Sequence, residues 1–552
     1  MRKFLLSLCF LFLTTALFAQ SYKITYQRSY NDKVTPNEDP LLVFTNAEQT
    51  VITSEKATQS SAHYPYETFF VDRKQPSAYY RLTNFSADNE LATLDSAILN
   101  RNTLALTEET KNILGYTCKK ATTSVNSNSI EIWYTNDLNV KGAPNELGQN
   151  LGLVLEYVRN GNSKITATKI EKIKHIPNHV ALRQFKKTVD ALTYQDEVWK
   201  SRFVHIPVFQ NEQINFSDQA KSDSIMRFAS GTVIVKKVKI PTLDKGSQAF
   251  VQLIEKSNGD AYDRTGSVFM IAEDQAQSFL DGMKNGMQTL PMYNNGDGEN
   301  YPGMVRTEGY SPIYELMRFF TPFGVAHFND RLTLKGKTWQ DSVVYRQDIS
   351  EFLGAMNGKE VYIGTYIGNY DKGGHRVSLE LTIHPGSSKM EYQNVMSIFN
   401  STNVMEMGGQ TYARFFSQEK GLEVSFELPH DAENVQLRYI TTGHGGWGNG
   451  DEFVPKENSI YLDGEIAFRF TPWRTDCGSY RLYNPVSGNF QNGLSSSDLS
   501  RSNWCPGTIT TPNYINLGNL KAGKHTLRVH IPQGEPEGSS FSFWNVSGAL
   551  IF

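Results

Sequence analysis

The 552-residue chain has little cysteine and almost no excess of charge. Cysteine occurs at positions 9, 118, 477 and 505 alone. Four cysteines are too few for a disulfide scaffold, so each domain needs its own hydrophobic core. With 54 basic and 57 acidic residues, the net charge is −3. The chain therefore lacks the basic surface that nucleic acid requires, and we expect no nucleic-acid partner.

Long apolar runs are also missing, apart from one at the amino terminus. Two basic residues precede an uncharged run from Phe4 to Ala19. This order is typical of a secretory signal peptide, and the run is shorter than the roughly 20 residues of a membrane helix. The sequence therefore predicts a signal peptide over residues 1–19, cleaved near Ala19-Gln20. It also predicts a secreted or periplasmic protein with no membrane span.

Sequence patterns of metal sites and of common catalytic motifs are absent. The eleven histidines are scattered, and no His-x-His, His-Glu-x-x-His or Cys-x-x-Cys spacing occurs. A Gly-x-Ser-x-Gly elbow and a phosphate-binding loop are missing too. We therefore expect neither a metal site nor a cofactor.

The chain is rich in aromatic residues and in strand-like alternation. Aromatics make up 12% of the residues, which is too many for a disordered chain. Apolar and polar residues follow a strand pattern in five segments: Glu360–Ile367, Arg376–His384, Leu422–Leu428, Val435–Tyr439 and Leu527–Ile531. Helical character is confined to short stretches, of which Asp274–Met283 and Ile313–Phe320 are the best. Many short strands separated by turn clusters predict an all-β fold of sandwiches or barrels.

Composition and turn clusters divide the mature chain into three units. Residues 20–205 form a β-rich N-terminal domain that ends in a lysine-rich linker. Residues 206–386 and 387–552 form two further β domains, and their boundary falls at the turn cluster Pro385–Ser388.

The most unusual local segment is the glycine-rich loop Gly443–Gly450, which contains Trp447. Five glycines around an indole suit a sharply bent loop that offers the ring to the apolar face of a sugar. The alternative is a hairpin loop whose tryptophan packs in the core.

Carboxylates accompany this loop. Asp451 and Glu452 follow it directly, while Asp260 and the pair Asp263-Arg264 lie far upstream. Such carboxylates suit hydrolysis, in which one of them accepts a proton, and an adjacent arginine keeps an aspartate ionised. The alternative for each is a solvated surface charge, and a carboxylate pair would equally suit a glycosidase.

A third compact segment is Asn503–Gly507, with Arg501 just before it. In an oxidising compartment Cys505 is able to pair with Cys477, which would pin the loop that carries Arg501 and Trp504. The alternative is simple stapling with Arg501 as a surface charge. Cys118 is left over, and we expect a buried, inert thiol there.

Taken together, four stretches over residues 206–552 resemble the peptide-N-glycosidase F family. They are Ala261–Arg264 with Val268–Ile271, Arg318–Pro322, Gly446–Gly448 with Glu452-Phe453, and Arg501 with Trp504–Gly507. The resemblance implies two adjacent eight-stranded antiparallel jelly rolls with a metal-free active site between them. It also implies a secreted amidase that cleaves the Asn–GlcNAc bond of N-glycoproteins and glycopeptides. The intact glycan would be released and the Asn converted to Asp.

The resemblance further implies roles for individual residues. Asp263 would be the principal catalytic carboxylate, Arg264 would orient it and touch substrate, and Glu452 would be the second carboxylate. The substrate-binding set would consist of Tyr262, Trp447, Arg501 and Trp504. The pair Cys477–Cys505 would match a family disulfide.

Two departures from the family pattern concern the glycan. The family carries a third acidic residue on a strand that here reads Gly364–Gly368, without a carboxylate. An insertion near Tyr293–Tyr310 adds a loop close to the domain of Asp263. Both favour altered glycan tolerance, including tolerance of core-fucosylated glycans, as in type II-like members with an N-terminal bowl-like domain.

The first unit resembles a second family more weakly. Its segments Ile113–Ala121, Ile132–Thr135 and Leu151–Leu155 are similar to the GLPGLI family of secreted proteins, which assigns no chemistry. We expect a monomer. Two other functions stay open for the whole chain: a non-catalytic glycan-binding protein and an endoglycosidase that cuts between sugars.

Overall fold

The computed structural model describes residues 20–74, 77–219, 221–222, 224–330, 332–386, 393–445, 449–485 and 495–552. The predicted signal peptide lies outside these residues. The chain divides into two compact units between Arg202 and Phe203. The three-domain division with borders at 205/206 and 386/387 stays a prediction. No helix within the described ranges is long and apolar enough to cross a membrane.

The first unit is built on one large sheet. Its described elements are β1 (Ser21–Tyr30), β2 (Lys33–Val34), β3 (Leu41–Thr45), β4 (Gln49–Ser54), α1 (Glu55–Thr58), β5 (Tyr66–Asp72), β6 (Ala78–Asn84), β7 (Glu90–Leu94), β8 (Ala105–Ile113), β9 (Tyr116–Val125), β10 (Asn128–Thr135), β11 (Leu153–Arg159), β12 (Ser163–Ile173), β13 (Thr188–Val189) and α2 (Ala191–Lys200). The described strands pair in the order β13-β7-β6-β5-β4-β3-β1-β12-β11-β10-β9-β8, with β2 on β1. All pairs are antiparallel except β13 with β7.

Cys118 lies in the core of this first unit, on β9. Its side chain is fully buried and is not part of a disulfide. Burial raises the pKa of the thiol to about 11, against the opposing charge of Lys111. The group is therefore a protonated thiol at neutral pH, as the sequence led us to expect.

The second unit begins with a β sandwich. Its described elements are β14 (Val204–Ile214), β15 (Met226–Phe228), β16 (Val233–Lys239), β17 (Gln248–Ser257), β18 (Thr265–Ile271), β19 (Gln277–Ser278), α3 (Phe279–Asn285), β20 (Met292–Tyr293), β21 (Tyr301–Pro302), β22 (Tyr310–Ser311), β23 (Tyr314–Phe320), β24 (Val343–Asp348), α4 (Leu353–Met356), β25 (Glu360–Ile367) and β26 (His375–His384). One sheet has the order β14-β26-β17-β24, and the other β15-β16-β25-β18-β23-β32, in which β32 is the short strand Ile509–Thr510 from later in the chain. Both contribute to one apolar core.

A second sandwich follows along the chain. It consists of β27 (Val395–Asn400), β28 (Leu422–Leu428), β29 (Ala432–Gly445), β30 (Asn458–Leu462), β31 (Glu465–Phe470), β33 (Asn513–Leu520), β34 (Gly523–His530) and β35 (Ser542–Ile551), while the short β32 (Ile509–Thr510) joins the first sandwich. Its sheets are β27-β35-β29-β33 and β28-β34-β30-β31, packed around a separate core.

Both sandwiches have the strand order of a jelly roll. In the second, the first, eighth, third and sixth strands form one sheet, and the second, seventh, fourth and fifth form the other. The same order holds in the first sandwich for β14, β16, β17, β18, β23, β24, β25 and β26, with β15 and β32 added at the edges of one sheet. The predicted all-β class with two eight-stranded antiparallel jelly rolls is therefore confirmed.

The five predicted strand segments all lie in or overlap strands, whereas one predicted helix is wrong. In β26, for example, Val377 and Leu379 alternate with more exposed neighbours and are 1% exposed. Ile313–Phe320 instead forms the strand β23, which is buried along its whole length between β18 and β32. A strand buried on both faces loses its alternation and resembles a helical segment in sequence. The second predicted helix, Asp274–Met283, overlaps α3 only from Phe279 onward, and its residues Gln277–Ser278 form the strand β19.

A buried arginine links the two sandwiches. Arg318, on β23, is fully buried and donates to both carboxylate oxygens of Glu315, at 3.0 and 2.7 Å. It also donates to Thr402 Oγ1 at 2.8 Å, Thr442 Oγ1 at 3.1 Å and the carbonyl of Asn545 at 2.5 Å. A buried guanidinium is stable only when its donors are paired, so these bonds hold the two sandwiches at one spacing.

Candidate active site

Loops of both sandwiches carry residues predicted to be catalytic or substrate-binding. Asp263 lies in the loop between β17 and β18 of the first sandwich. Glu452 follows β29 of the second sandwich, and Arg501 lies in the segment between β31 and β32. Although these residues are far apart in sequence, the fold brings their side chains into direct contact.

Arg501 is the centre of this contact. Its Nη1 donates to Asp263 Oδ2 at 3.0 Å and to Glu452 Oε1 at 2.6 Å. Its Nη2 donates to the carbonyl of Ser496 at 2.7 Å. The arginine side chain is 1% exposed, whereas those of Asp263 and Glu452 are 19% and 21% exposed. Two partly accessible carboxylates therefore share one buried cation.

Burial changes the acidity of both carboxyl groups. Burial raises the pKa of Glu452; the charge of Arg501 opposes the shift, that of Asp263 adds to it, and the pKa is about 7. Burial also raises the pKa of Asp263, although the charge and hydrogen bond of Arg501 act against it. Two carboxyl groups on one cation do not both ionise easily. Glu452 is thus able to carry a proton near neutral pH.

Aromatic packing and a disulfide support Arg501. The guanidinium lies 4.2 Å from the ring centre of Trp504, which stacks on Phe320 at 4.3 Å. The indole Nε1 of Trp504 donates to the carbonyl of Gly443 at 3.0 Å. The next residue, Cys505, forms the predicted disulfide with Cys477. The loop that carries Arg501 is therefore held by ring stacking and by a covalent link.

Thr321 holds the loop that carries Asp263. Its Oγ1 accepts a hydrogen bond from the backbone N–H of Arg264 at 2.8 Å and donates to the carbonyl of Tyr262 at 2.9 Å. Its backbone N–H donates to the carbonyl of Arg264 at 3.0 Å. This gives the threonine of the Arg318–Pro322 motif a physical role, because it fixes both neighbours of Asp263.

Arg264, predicted to orient Asp263, makes its hydrogen bonds to another carboxylate. Its Nε and Nη2 donate to the two carboxylate oxygens of Asp260, at 2.7 and 3.2 Å, in a bidentate pair. The hydrogen-bonded guanidinium at Asp263 is that of Arg501. Because Asp260 takes these two donors, Arg264 affects Asp263 through the loop and through its charge. The side chain of Arg264 is 19% exposed, and within the described residues its Nη1 has no hydrogen-bond partner.

A further carboxylate, Glu406, lies close to Arg264 and was missed in the sequence. It accepts hydrogen bonds from the hydroxyls of Tyr366 at 3.3 Å and Tyr412 at 2.5 Å, and from that of Tyr370. The ring of Tyr370 lies 5.4 Å from the guanidinium carbon of Arg264. The Gly364–Gly368 strand lacks a carboxylate, yet its Tyr366 binds one from another segment. Nothing local in the sequence marks Glu406, because its partners come from distant positions.

The predicted substrate-binding residues differ in how exposed they are. Tyr262 is 59% exposed, so its ring is accessible to a ligand. Trp504 and Arg501 are 3% and 1% exposed. The guanidinium packs on the indole and the indole stacks on Phe320, and the substrate-binding role of both residues stays a prediction. Trp447 lies outside the described residues.

Asp451, the other acidic residue after the glycine-rich loop, has a structural role. It is fully buried and accepts hydrogen bonds from the indole Nε1 of Trp544 at 2.7 Å and the backbone N–H of Gly534 at 3.0 Å. In the part of the chain that the structure describes, no group of three or more His, Cys, Asp or Glu side chains is arranged to hold a metal ion.

Sequence profiles of three domain families match the chain in succession. The N-terminal domain of the N-glycanase peptide matches residues 24–196. The N-terminal domain of peptide-N-glycosidase F matches residues 205–383, and its C-terminal domain matches residues 411–551. A search of curated protein sequences found no match.

Solved structures show the same relationship. Structures of PNGF-II in space groups C2 and P21 are each 57% identical to this chain and cover 97% of it, and the matches span 98% and 99% of those chains. The TM-scores are 0.89 and 0.90. PNGase F, a glycosylasparaginase from Flavobacterium meningosepticum, is 17% identical over 63% of this chain and 95% of its own, with a TM-score of 0.41. We base no argument on this last match.

Proposed function

Because the chain belongs to the peptide-N-glycosidase F family, whose members hydrolyse a C–N bond, we propose that it cleaves the link between asparagine and the first N-acetylglucosamine of N-glycans. Its substrates are N-glycosylated proteins and glycopeptides. The reaction releases the intact glycan as a glycosylamine, which then decomposes to the sugar and ammonia. The asparagine becomes aspartate.

The observation that carries this proposal is the shared cation. Asp263 and Glu452 come from different sandwiches and meet on one nitrogen of the buried Arg501. Hydrolysis of an amide needs one group that accepts a proton from water and another that supplies one to the departing nitrogen. A carboxylate pair in which one member carries a proton near neutral pH suits these two roles.

We assign the roles within the pair from the pKa of Glu452, which lies near neutrality. Asp263, stabilised as an anion by Arg501, accepts the proton of the attacking water at the amide carbon. Glu452, with a pKa of about 7, positions the water and supplies a proton to the nitrogen. Arg501 stabilises the negative charge that the pair carries through the reaction. Water adds to the carbonyl carbon, the C–N bond breaks, and each proton has a donor and an acceptor.

The glycan would bind beside this pair. The exposed ring of Tyr262 and the partly exposed guanidinium of Arg264 are next to Asp263 in the chain, and Trp447 is the further candidate for sugar stacking. Glu406 occupies the neighbourhood of Arg264 and takes the place of the missing carboxylate of the Gly364–Gly368 strand. We also propose that core-fucosylated glycans are tolerated, because that strand itself lacks the acidic residue of the family.

We further propose that the protein acts outside the cytoplasm as a monomer, after removal of residues 1–19. A disulfide such as Cys477–Cys505 is stable in an oxidising compartment. Mass spectrometry of the purified protein from the culture medium or periplasm, together with its mass in solution, tests the processing and the oligomeric state.

The direct test of activity is the substitution Asp263→Asn, assayed on a denatured glycoprotein. Loss of the base should slow glycan release by about 10²–10⁴-fold. The matched control is Asp431→Asn. Asp431 is an exposed aspartate that forms an ion pair with Lys521, and its variant should keep full activity. Mass spectrometry of the peptide product identifies the reaction class.

Conversion of Asn to Asp supports the amidase. A peptide that keeps one N-acetylglucosamine on Asn would mean an endoglycosidase, and an unchanged glycopeptide with retained affinity for the glycan would mean a binding protein. If Asp263→Asn released the glycan at nearly the wild-type rate, Asp263 would not be the catalytic base.

A further inference from the structure

A network of buried charges lies beneath the Asp263 loop, and the proposed reaction does not use it. It consists of Glu255 at the end of β17, His375 at the start of β26, and Asp260 in the loop that leads to Asp263. The three side chains are 0%, 1% and 2% exposed. Buried ionisable groups are costly unless they are paired, so their presence here calls for a reason.

His375 connects the two carboxylates. Its Nδ1 lies 2.8 Å from Glu255 Oε1, and its Nε2 lies 3.4 Å from Asp260 Oδ2. Both ring nitrogens therefore face carboxylate oxygens, and both are donors only in the protonated imidazolium. Burial disfavours this charge, but the hydrogen bonds and negative charges of Asp260 and Glu255 raise the pKa of His375 to about 9.

The charges of the network balance only when His375 is protonated. The anions Glu255 and Asp260 then face two cations, His375 and Arg264. Tyr345 of β24 also faces Glu255, and burial raises its pKa well above the ordinary value, so it adds no charge. On β14, the strand that pairs with β26, the residue opposite His375 in the register is the apolar Ile214. Loss of one proton would leave two buried carboxylates with a single cation.

The network is connected to the loop that carries Asp263 through the carboxylate of Asp260. Asp260 Oδ1 accepts a hydrogen bond from the backbone N–H of Tyr262 at 3.2 Å, and the carboxylate also accepts hydrogen bonds from Arg264 Nε and Nη2. These are the two neighbours of Asp263. Burial would raise the pKa of Asp260, but hydrogen bonds from His375 and Arg264 lower it to about 2. The carboxylate is therefore ionised at every pH at which the loop must hold its shape.

We propose that Glu255, His375 and Asp260 are positioning residues that hold the Asp263 loop in its catalytic conformation, and that the protonated imidazole of His375 is the element on which this hold depends. The inference rests on the proposed function. Above the pH at which His375 loses its proton, its neutral ring can donate to only one of the two carboxylates, and loss of this cation loosens the contacts of Asp260 with Tyr262 and Arg264. The value of kcat should then fall, while KM changes less.

The decisive variant is Glu255→Gln in the full-length protein, because glutamine keeps the shape and a hydrogen-bonding oxygen. Removing one anion lowers the pKa of His375. The alkaline fall of kcat on a glycopeptide should therefore move down by about one pH unit or more relative to wild type. The value of kcat at pH 7 should stay within about twofold, since His375 is then still largely charged. A structural defect alone would lower the melting temperature without moving this limb.

The matched control is Asp463→Asn, which breaks another Asp–His pair. Asp463 Oδ2 lies 2.7 Å from Nδ1 of His525 at the edge of the second sandwich, remote in sequence from the Asp263 loop. This variant should keep the wild-type pH profile. An alkaline limb at the same pH in wild type and Glu255→Gln, or its absence from wild type, would overturn the inference.

A second measurement does not depend on a variant or on activity. Nuclear magnetic resonance of the wild-type protein with labelled histidine should show the imidazole of His375 protonated at pH 7, because its carboxylate partners raise its pKa to about 9. A neutral His375 at pH 7 would contradict the proposal even if Glu255→Gln failed to fold. Failure of wild type to release any glycan would instead sink the proposed function, so the two failures are distinguishable.

Discussion

The two sides of the candidate active site are held by different physical means. On the first sandwich, the Asp263 loop rests on buried ionic and hydrogen-bonding contacts, from Glu255 through His375 and Asp260 to Arg264. On the second, Arg501 rests on Trp504 and on a loop tied by a disulfide. Charge-based contacts depend on protonation, whereas ring stacking and a covalent link do not. We therefore expect pH to affect the supporting contacts of the first side more than those of the second, and reduction to act mainly through the second.

The largest effect should come from the residue that joins the two sides. Arg501→Met removes the cation that Asp263 and Glu452 share, so at least one of these carboxyl groups becomes protonated at neutral pH. Loss of this donor should lower kcat by about 10³-fold or more. Glycan release from a glycopeptide at pH 7 measures the effect.

Arg528→Met is the control for Arg501, because Arg528 also lies over an aromatic ring, that of Tyr461 at 4.0 Å, but contacts neither catalytic carboxylate. It should retain activity. If Arg501→Met kept more than a small fraction of wild-type kcat, the shared cation would not be essential and the comparison between the two sides would lose its centre.

A smaller effect is expected from the clamp on the first side. Thr321→Val keeps the shape of the side chain but removes the Oγ1 contacts with Arg264 and Tyr262. Loss of these bonds should cost about 1–3 kcal/mol of stability. Because both neighbours of Asp263 are released, kcat should also fall by about tenfold, a misplacement effect.

The control for Thr321 is Thr232→Val in the same sandwich, where the lost bond is from Oγ1 to the carbonyl of Ala229 at 2.7 Å. Denaturant unfolding and kcat are measured for both variants. If both variants lost stability and neither lost kcat, Thr321 would contribute to the stability of the fold only. The charge network would then hold the Asp263 loop without the help of Thr321.

The smallest effect on kcat should come from opening the disulfide of the second side. The double variant Cys477→Ser, Cys505→Ser should lose about 2–4 kcal/mol of unfolding free energy. Activity at moderate temperature should be largely kept, because the indole of Trp504 still donates to Gly443 and stacks on Phe320.

The control is Cys118→Ser in the first unit. Because Cys118 is not in a disulfide, this variant shows the effect of losing a cysteine without losing a disulfide bond. Its unfolding should not respond to reductant differently from wild type. A collapse of kcat in the double variant at a temperature where it is folded would mean that the covalent link, and not the aromatic stack, sets the position of Arg501.

Much of the fold followed from local patterns in the sequence. The alternation in β26 and the pattern of β28 predicted strands, because one face of each strand is buried. The pattern failed at β23, which is buried on both faces and therefore shows no alternation. The family resemblance predicted from short motifs is confirmed by the relationship to PNGF-II over nearly the whole chain. The Cys477–Cys505 disulfide is also present as predicted.

The sequence by itself determined the chemical inventory and the architecture: strand-rich jelly rolls, a set of carboxylates and arginines, and the cysteines that pair. Only the tertiary structure decided which guanidinium meets which carboxylate. Arg264 is adjacent to Asp263 in the chain but binds Asp260, while Arg501, remote in sequence, binds Asp263. Successive residues of an extended loop point in different directions, so adjacency in sequence does not bring their side chains together. The same reason hid Glu406 and His375, whose partners become neighbours only when separate segments pack.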